Sequence, residues 1–323
     1  MKESNYIAFL AIRLFTALLP LALGWPLLAF CFCAYNLVMV TATRGGVYGG
    51  IVSAATALAG GLLCFACGYG AYYGIFFALQ LVVAATFCSL TVITRKSFGA
   101  GLLAASVGYG LGNVLNLKHM ANNAGLSIAD YIYSHVEPII SQSVNTFFEQ
   151  YPTLADGQLG IDPQTAMNTF STIMKAIIPA SLITGAILAG YIVMWMVSRS
   201  LRDTPLDSGH SFANIRLSVP AVVFGAVMLA LLFVPGEMVS IVGLSGVLVF
   251  INLAFFSGLS LMEFLLRRKI KNTIPRVLIH IAFIAGGLMI SAFFPLVNIF
   301  LLYALMGIID CFASIRKRVI QRP

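Results

Sequence analysis

The sequence predicts an all-α fold: a polytopic transmembrane bundle of about ten spans, both ends in the cytoplasm, with one amphipathic helical segment outside. Three observations predict it. The 323-residue chain is 60% hydrophobic and only 9% charged, against about 25% charged residues in a soluble domain. Its apolar residues fall into runs near the ~20 residues that a helix needs to cross a bilayer. Its basic residues collect in short clusters between those runs, as topology signals do. A soluble core could not absorb this much apolar sequence without large exposed patches, so lipid is the expected solvent. The 29 glycines suit closely packed membrane helices.

The expected spans are 5–24, 26–43, 47–68, 72–94, 98–117, 175–198, 219–235, 239–265, 275–294 and 296–314. Gly24-Trp25-Pro26 divides the first pair and Pro295 the last. The first run follows a single Lys and lacks a small-x-small cleavage site, so it reads as a retained helix and not a signal peptide. With the N-terminus inside, even-numbered spans return to the cytoplasm. Their loops carry Arg44, then Arg95 and Lys96, then Arg199, Arg202 and Arg216, then Arg267, Arg268, Lys269, Lys271 and Arg276. The C-terminus adds Arg316, Lys317, Arg318 and Arg322. Every basic cluster falls inside, which orients the chain. The whole of 1–323 reads as one integral membrane domain, with 118–173 as an extracytoplasmic insertion.

Between Lys118 and Lys175 the insertion has no Lys or Arg, but it has Asp130, Glu137, Glu149, Asp156 and Asp162. Ile128, Tyr131, Ile132, His135, Ile139, Ile140, Val144, Phe147 and Phe148 recur at steps of three and four, so 126–150 is an amphipathic helix. Three placements stand: a helix resting on the outer ends of the bundle, one lying in the outer interface, or a cap over a cavity. Pro152 and Gly157–Gly160 break it, and Asp162-Pro163 restarts a helix that runs into the sixth span.

The formal charge of +8 does not indicate a nucleic-acid partner, because the basic residues do not line one polar face. The six cysteines lie in or beside apolar runs, which implies no disulfide framework. Cys64 and Cys67 form C-x-x-C without a nearby His or second pair. Packing cysteines are the plain reading, and a redox or metal pair the alternative. There is no Walker loop and no catalytic cluster. No enzyme activity, cofactor or metal is expected.

Ionisable residues inside spans are costly, so each is a candidate. Arg13 either snorkels to the cytoplasmic interface or serves a site. Glu263 sits four residues before Arg267, the spacing of a helical ion pair. Asp310 has no basic residue at i+3 or i+4; it pairs with Arg13 or another basic end, or contacts an ion or substrate. His280 is a hydrogen-bonded packing residue or a pathway residue. Asn36, Gln80, Asn113, Asn116, Asn252 and Asn298 can bond across helices. Asn113 and Asn116, three apart near the outer end of span five, point to an outward polar pocket. Ala104, Gly108 and Gly112 have small-x-x-x-small spacing, as do Ala55/Ala59 and Ser181/Gly185/Ala189. Such faces pack helices within a chain or dock a partner.

Three stretches carry a resemblance: TRGGVYGG (Thr43–Gly50), HSFANIRLSVP (His210–Pro220) and MGIIDCFASIRKR (Met306–Arg318). By them the chain resembles the YybS-like family of uncharacterised bacterial multi-pass membrane proteins (domain of unknown function 2232), over nearly its whole length. That family is distantly similar to the substrate-binding membrane subunits of energy-coupling-factor transporters, and more loosely to the rod-shape protein MreD group. The resemblance implies a bacterial cytoplasmic (inner) membrane protein. By the first analogy it binds or transports a small solute and relies on a separate ATPase module. By the second it is a scaffold or assembly protein among other membrane proteins of an envelope complex. The solute reading puts the pocket near spans five and six and the 126–150 helix.

Overall fold

The computed structural model describes residues 3–94, 98–150, 163–201, 212–293 and 299–316. Among them lie eleven α-helices and no strand. They are α1 (Glu3–Ala22), α2 (Pro26–Arg44), α3 (Gly46–Ala66), α4 (Ala71–Ile93), α5 (Phe98–Asn123), α6 (Ile128–Gln150), α7 (Pro163–Ser200), α8 (Val219–Leu231), α9 (Glu237–Lys269), α10 (Thr273–Phe293) and α11 (Ile299–Ala313). Each of the ten expected spans contains one α-helix among its described residues, and so does the amphipathic segment. Six helices are long and apolar enough to cross a membrane by length and composition: α2, α3, α4, α5, Met167–Ser200 of α7, and α9. Phe9–Ala22, Val219–Leu231, Thr273–Gly287 and Ile299–Ala313 are shorter apolar helices. At 1.5 Å per residue α9 is roughly 50 Å long, well beyond a hydrocarbon core of about 30 Å.

Gly24 (φ +80°) and Gly45 (φ +92°) make the turns on either side of α2, in a backbone region that other residues enter only with strain. α7 begins at Pro163, with the expected Pro at its first position; Asp162, Pro152 and Gly157–Gly160 lie outside the described residues. In α6, Ile132, Ile140 and Val144 are buried, while Asp130, Glu137 and Gln142 face out. Ile139, expected on the apolar face, is 65% exposed, because the buried stripe narrows to steps of four.

The chain divides into two compact units: Met1–Val136 with Leu182–Ser208, and Glu137–Ser181 with Gly209–Pro323. In the first unit α2 is the centre, packed on α1, α3 and α4. Phe30, Leu37, Leu81, Phe77 and Met194 are fully buried there. Large apolar side chains instead point outward along α1, α3, α4 and α5, among them Phe15, Leu58, Leu62, Phe87 and Leu103. This is the distribution expected of helices bathed in lipid. Close packing uses small residues. A Cβ on Gly108 would lie 2.7 Å from the Cβ of Ala84, and one on Gly112 2.8 Å from that of Gln80.

In the second unit α9 is the spine, with α8, α10, α11 and a 3₁₀ turn at Phe212–Asn214 packed on it. α9 and α11 touch backbone to backbone. A Cβ on Gly258 would overlap the carbonyl of Tyr303, and one on Gly307 the carbonyl of Ala254. Leu217, Ala254 and Ala304 form the buried centre of this packing.

Candidate functional site

The second unit gathers three of the expected site residues. α9 presents Ser257, Ser260, Glu263 and Arg267 at steps of three and four, one helical stripe. The hydroxyl of Ser260 faces the carbonyls of Phe212 and Ile215 at 2.5 and 2.9 Å. The Leu217 N–H donates to Ser257 Oγ at 3.0 Å. Glu263, 8% exposed, holds Arg267 at 2.7 Å and Arg276 at 3.3 Å through Oε1. Its Oε2 lies 3.3 Å from His280 Nε2. Arg276 also donates from Nη1 to the carbonyls of Ile270 and Lys271 and from Nη2 to Thr273. It thereby pins the link between α9 and α10. Both oxygens of Glu263 are taken, so this is a closed clasp.

Asp310 is the second buried acid, and its partner is Arg316. α11 stops at Ala313, and Ser314 takes a positive φ of 48°. That turn folds the chain back. The Arg316 N–H then donates to Asp310 Oδ1 at 3.3 Å, and the Arg316 Nε lies 2.9 Å from Oδ2. Arg316 is 1% exposed. Its two Nη atoms donate to the carbonyls of Ala213 (2.6 Å) and Ser257 (3.3 Å), and its guanidinium lies over the Phe264 ring. The HSFANIRLSVP and MGIIDCFASIRKR stretches therefore meet, through one arginine, on α9. They build the second unit, which is a structural reason for their pattern.

In the first unit Arg13 stands apart. It donates from Nη2 to the Tyr35 hydroxyl at 2.9 Å, with its guanidinium 5.3 Å from the centre of that ring. Tyr35 is held in turn by Ser200 Oγ at 2.7 Å. Among the described residues no carboxylate pairs with Arg13. Two cavities flank it, of about 240 and 330 Å³. Arg13 and Asn36 line both. Asn36 is 5% exposed. Its amide donates to the Phe32 carbonyl at 2.9 Å, while its Oδ1 is buried with no donor among the described residues.

Asn113 and Asn116 are partly exposed on α5 and line neither cavity. Asn113 donates to the Tyr109 carbonyl at 2.8 Å and Asn116 to the Met120 sulfur at 3.7 Å, both on their own helix. Gly108 and Gly112 face α4, and Ala104 packs against the same core. Cys64 is buried and Cys67 exposed, and both are free thiols. Asn298 lies outside the described residues. Sequence reasoning named Arg13, Glu263, His280 and Asp310 and gave Asp310 either Arg13 or another basic end as partner; the structure pairs it with Arg316 of the basic C-terminal end, while Tyr35 as the partner of Arg13 was not foreseen. A helix that ends in a left-handed residue brings i+6 within reach, and no simple periodicity signals that.

A family model described as Predicted membrane protein (DUF2232) matches residues 11–311. No curated protein and no solved structure is significantly similar to the chain.

Proposed function

We propose, from the premise that the chain belongs to the DUF2232 family of membrane proteins, that it is a non-enzymatic binder or carrier of a small solute in the bacterial cytoplasmic membrane. We put the site at Arg13, between α1 and α2, and not at Asn113 and Asn116, whose amides serve their own helix. The observation that supports this is a cation inside an apolar helix, without a carboxylate partner among the described residues, bordered by two cavities. The acids Glu263 and Asp310 are satisfied by arginines, whereas Arg13 meets a phenol. An intramembrane charge that its own helices leave uncompensated is the kind that recognises a ligand or marks its path. With no Walker loop in the sequence, any ATP-driven step belongs to a separate module. Both ends lie in the cytoplasm in this reading, so the Arg13 cavities belong to the inner leaflet side.

Native mass spectrometry of the full chain, gently extracted with its own lipids, tests the reading. One small molecule retained at one-to-one stoichiometry, and lost on Arg13→Gln, is the expected result. A chain that carries no ligand but a stoichiometric second membrane protein would overturn it in favour of an assembly scaffold.

A further inference from the structure

We infer that the Arg13 cavities take an anionic amphiphile whose head carries a phosphate-type anion and a hydrogen-bond donor. The inference rests on the solute-binding reading above and names the ligand's chemical class. Its first ground is charge. Among the described residues no acidic side chain lines either cavity, and Arg13 and Arg44 both line the smaller one. A guanidinium offers five N–H donors in a planar fork that fits phosphate or carboxylate oxygens. Tyr35 takes one Nη2 donor and is itself fixed by Ser200, so the fork is held in place.

The second ground is Asn36. Its Oδ1 is an acceptor, buried and unmatched among the described residues, on a residue that lines both cavities. Leaving such a group unpaired costs about 1–3 kcal/mol, so the site favours a ligand that supplies a donor. A bare anion does not; a phosphate ester with a hydroxyl or ammonium on its head does. The third ground is the rest of the lining. Phe9, Leu10 and Val40 wall the smaller cavity and Ala17 and Phe32 the larger. Arg13 is ten residues into α1, about 15 Å along its axis, at acyl-chain depth. A head held at Arg13 and Asn36 would therefore carry an apolar tail along these side chains. The larger cavity, about 330 Å³, falls within the range of about 300–1,000 Å³ for small-ligand sites.

Two sources share this chemistry: a lipid of the bilayer itself, and a free phosphate ester. Delipidated full-length protein in a neutral detergent is titrated by native mass spectrometry with four probes. Phosphatidylglycerol has the anion and hydroxyls; phosphatidylmethanol has the anion alone; phosphatidylcholine has no net charge; glycerol 3-phosphate is the head without tails. The expected result is phosphatidylglycerol retained about tenfold more tightly than phosphatidylcholine, one charge-assisted hydrogen bond's worth. Arg13→Gln abolishes that preference. Asn36→Leu keeps it, but equalises phosphatidylglycerol and phosphatidylmethanol. Competition by glycerol 3-phosphate assigns the site to a free ester, and its failure to compete assigns it to the lipid. Equal retention of phosphatidylglycerol and phosphatidylcholine by the wild type overturns the inference, as does an intact preference in Arg13→Gln. Should Arg13→Gln not fold, an Asn36→Leu protein that still favours phosphatidylglycerol over phosphatidylmethanol overturns it. A neutral solute retained in an Arg13-dependent way would sink the anionic class and leave solute binding standing.

Discussion

Replacing Arg316 with Met should strongly weaken the second unit. Arg316 and Asp310 are 1% and 3% exposed. Deleting the arginine leaves a buried carboxylate whose remaining partner is one backbone N–H at 3.3 Å. Removing one member of a buried pair costs about 3–5 kcal/mol, because the other charge is left uncompensated. The carbonyls of Ala213 and Ser257 lose donors as well, at about 1 kcal/mol each. Asp310→Asn should cost less, since Arg316 keeps both carbonyls as partners. The double variant removes both charges, so its loss should fall short of the sum of the singles by about 2 kcal/mol or more. Unfolding of the purified protein by SDS titration from mild micelles, followed by circular dichroism, measures all four corners of this cycle. Additivity within about 0.5 kcal/mol would refute the coupling. A loss below about 1 kcal/mol for Arg316→Met would refute the burial argument itself.

Three further substitutions give readouts in the same unfolding assay. Gly307→Ala puts a methyl onto the Ala254 carbonyl and should cost about 1–3 kcal/mol. Gly185→Ala meets nothing within 4 Å and should be neutral or stabilising by up to about 1 kcal/mol through helix propensity. Ser314→Gly relieves the positive φ of 48° and should raise the unfolding midpoint, by about 0.5–1 kcal/mol of stability. Cys67 is exposed while Cys31, Cys33, Cys64 and Cys88 are buried. With the N-terminus inside, Cys67 ends the third span on the outer face. A membrane-impermeant maleimide should therefore label intact cells, and Cys67→Ser should abolish the signal. Labelling that requires permeabilised cells would reverse the orientation.

The helices were legible because length and apolarity are local properties, and lipid demands that each span satisfy its own backbone. Every predicted span is a helix within a few residues at most of its ends, apart from α5 and α9, which run on, and α7, which starts early at the expected Pro163. Glu263 and Arg267 were legible for the same reason, being one helical turn apart. The partners that fold the second unit were not. Ser257 and Ser260 look like ordinary serines of a membrane helix, yet they hold Leu217, Phe212 and Ile215 from distant positions in the chain. Asn113 misled differently. An asparagine near a polar segment suggests a pocket, but its amide can return to the carbonyl one turn back, as it does to Tyr109. Asn36 does the same to Phe32, and its oxygen is left over, as is that of Gln80. Such orphans follow from packing in three dimensions.

The Asp310–Arg316 pair also bears on how the protein is made. Synthesis runs from the N-terminus, so the acid leaves the ribosome six positions ahead of its cation. Until Arg316 arrives, α11 carries a bare carboxylate, and the Ala213 and Ser257 carbonyls wait for their donors. A chain cut short between those two positions would keep nearly all of its apolar sequence and the small residues that pack α11 on α9, yet would leave a buried acid without its cation.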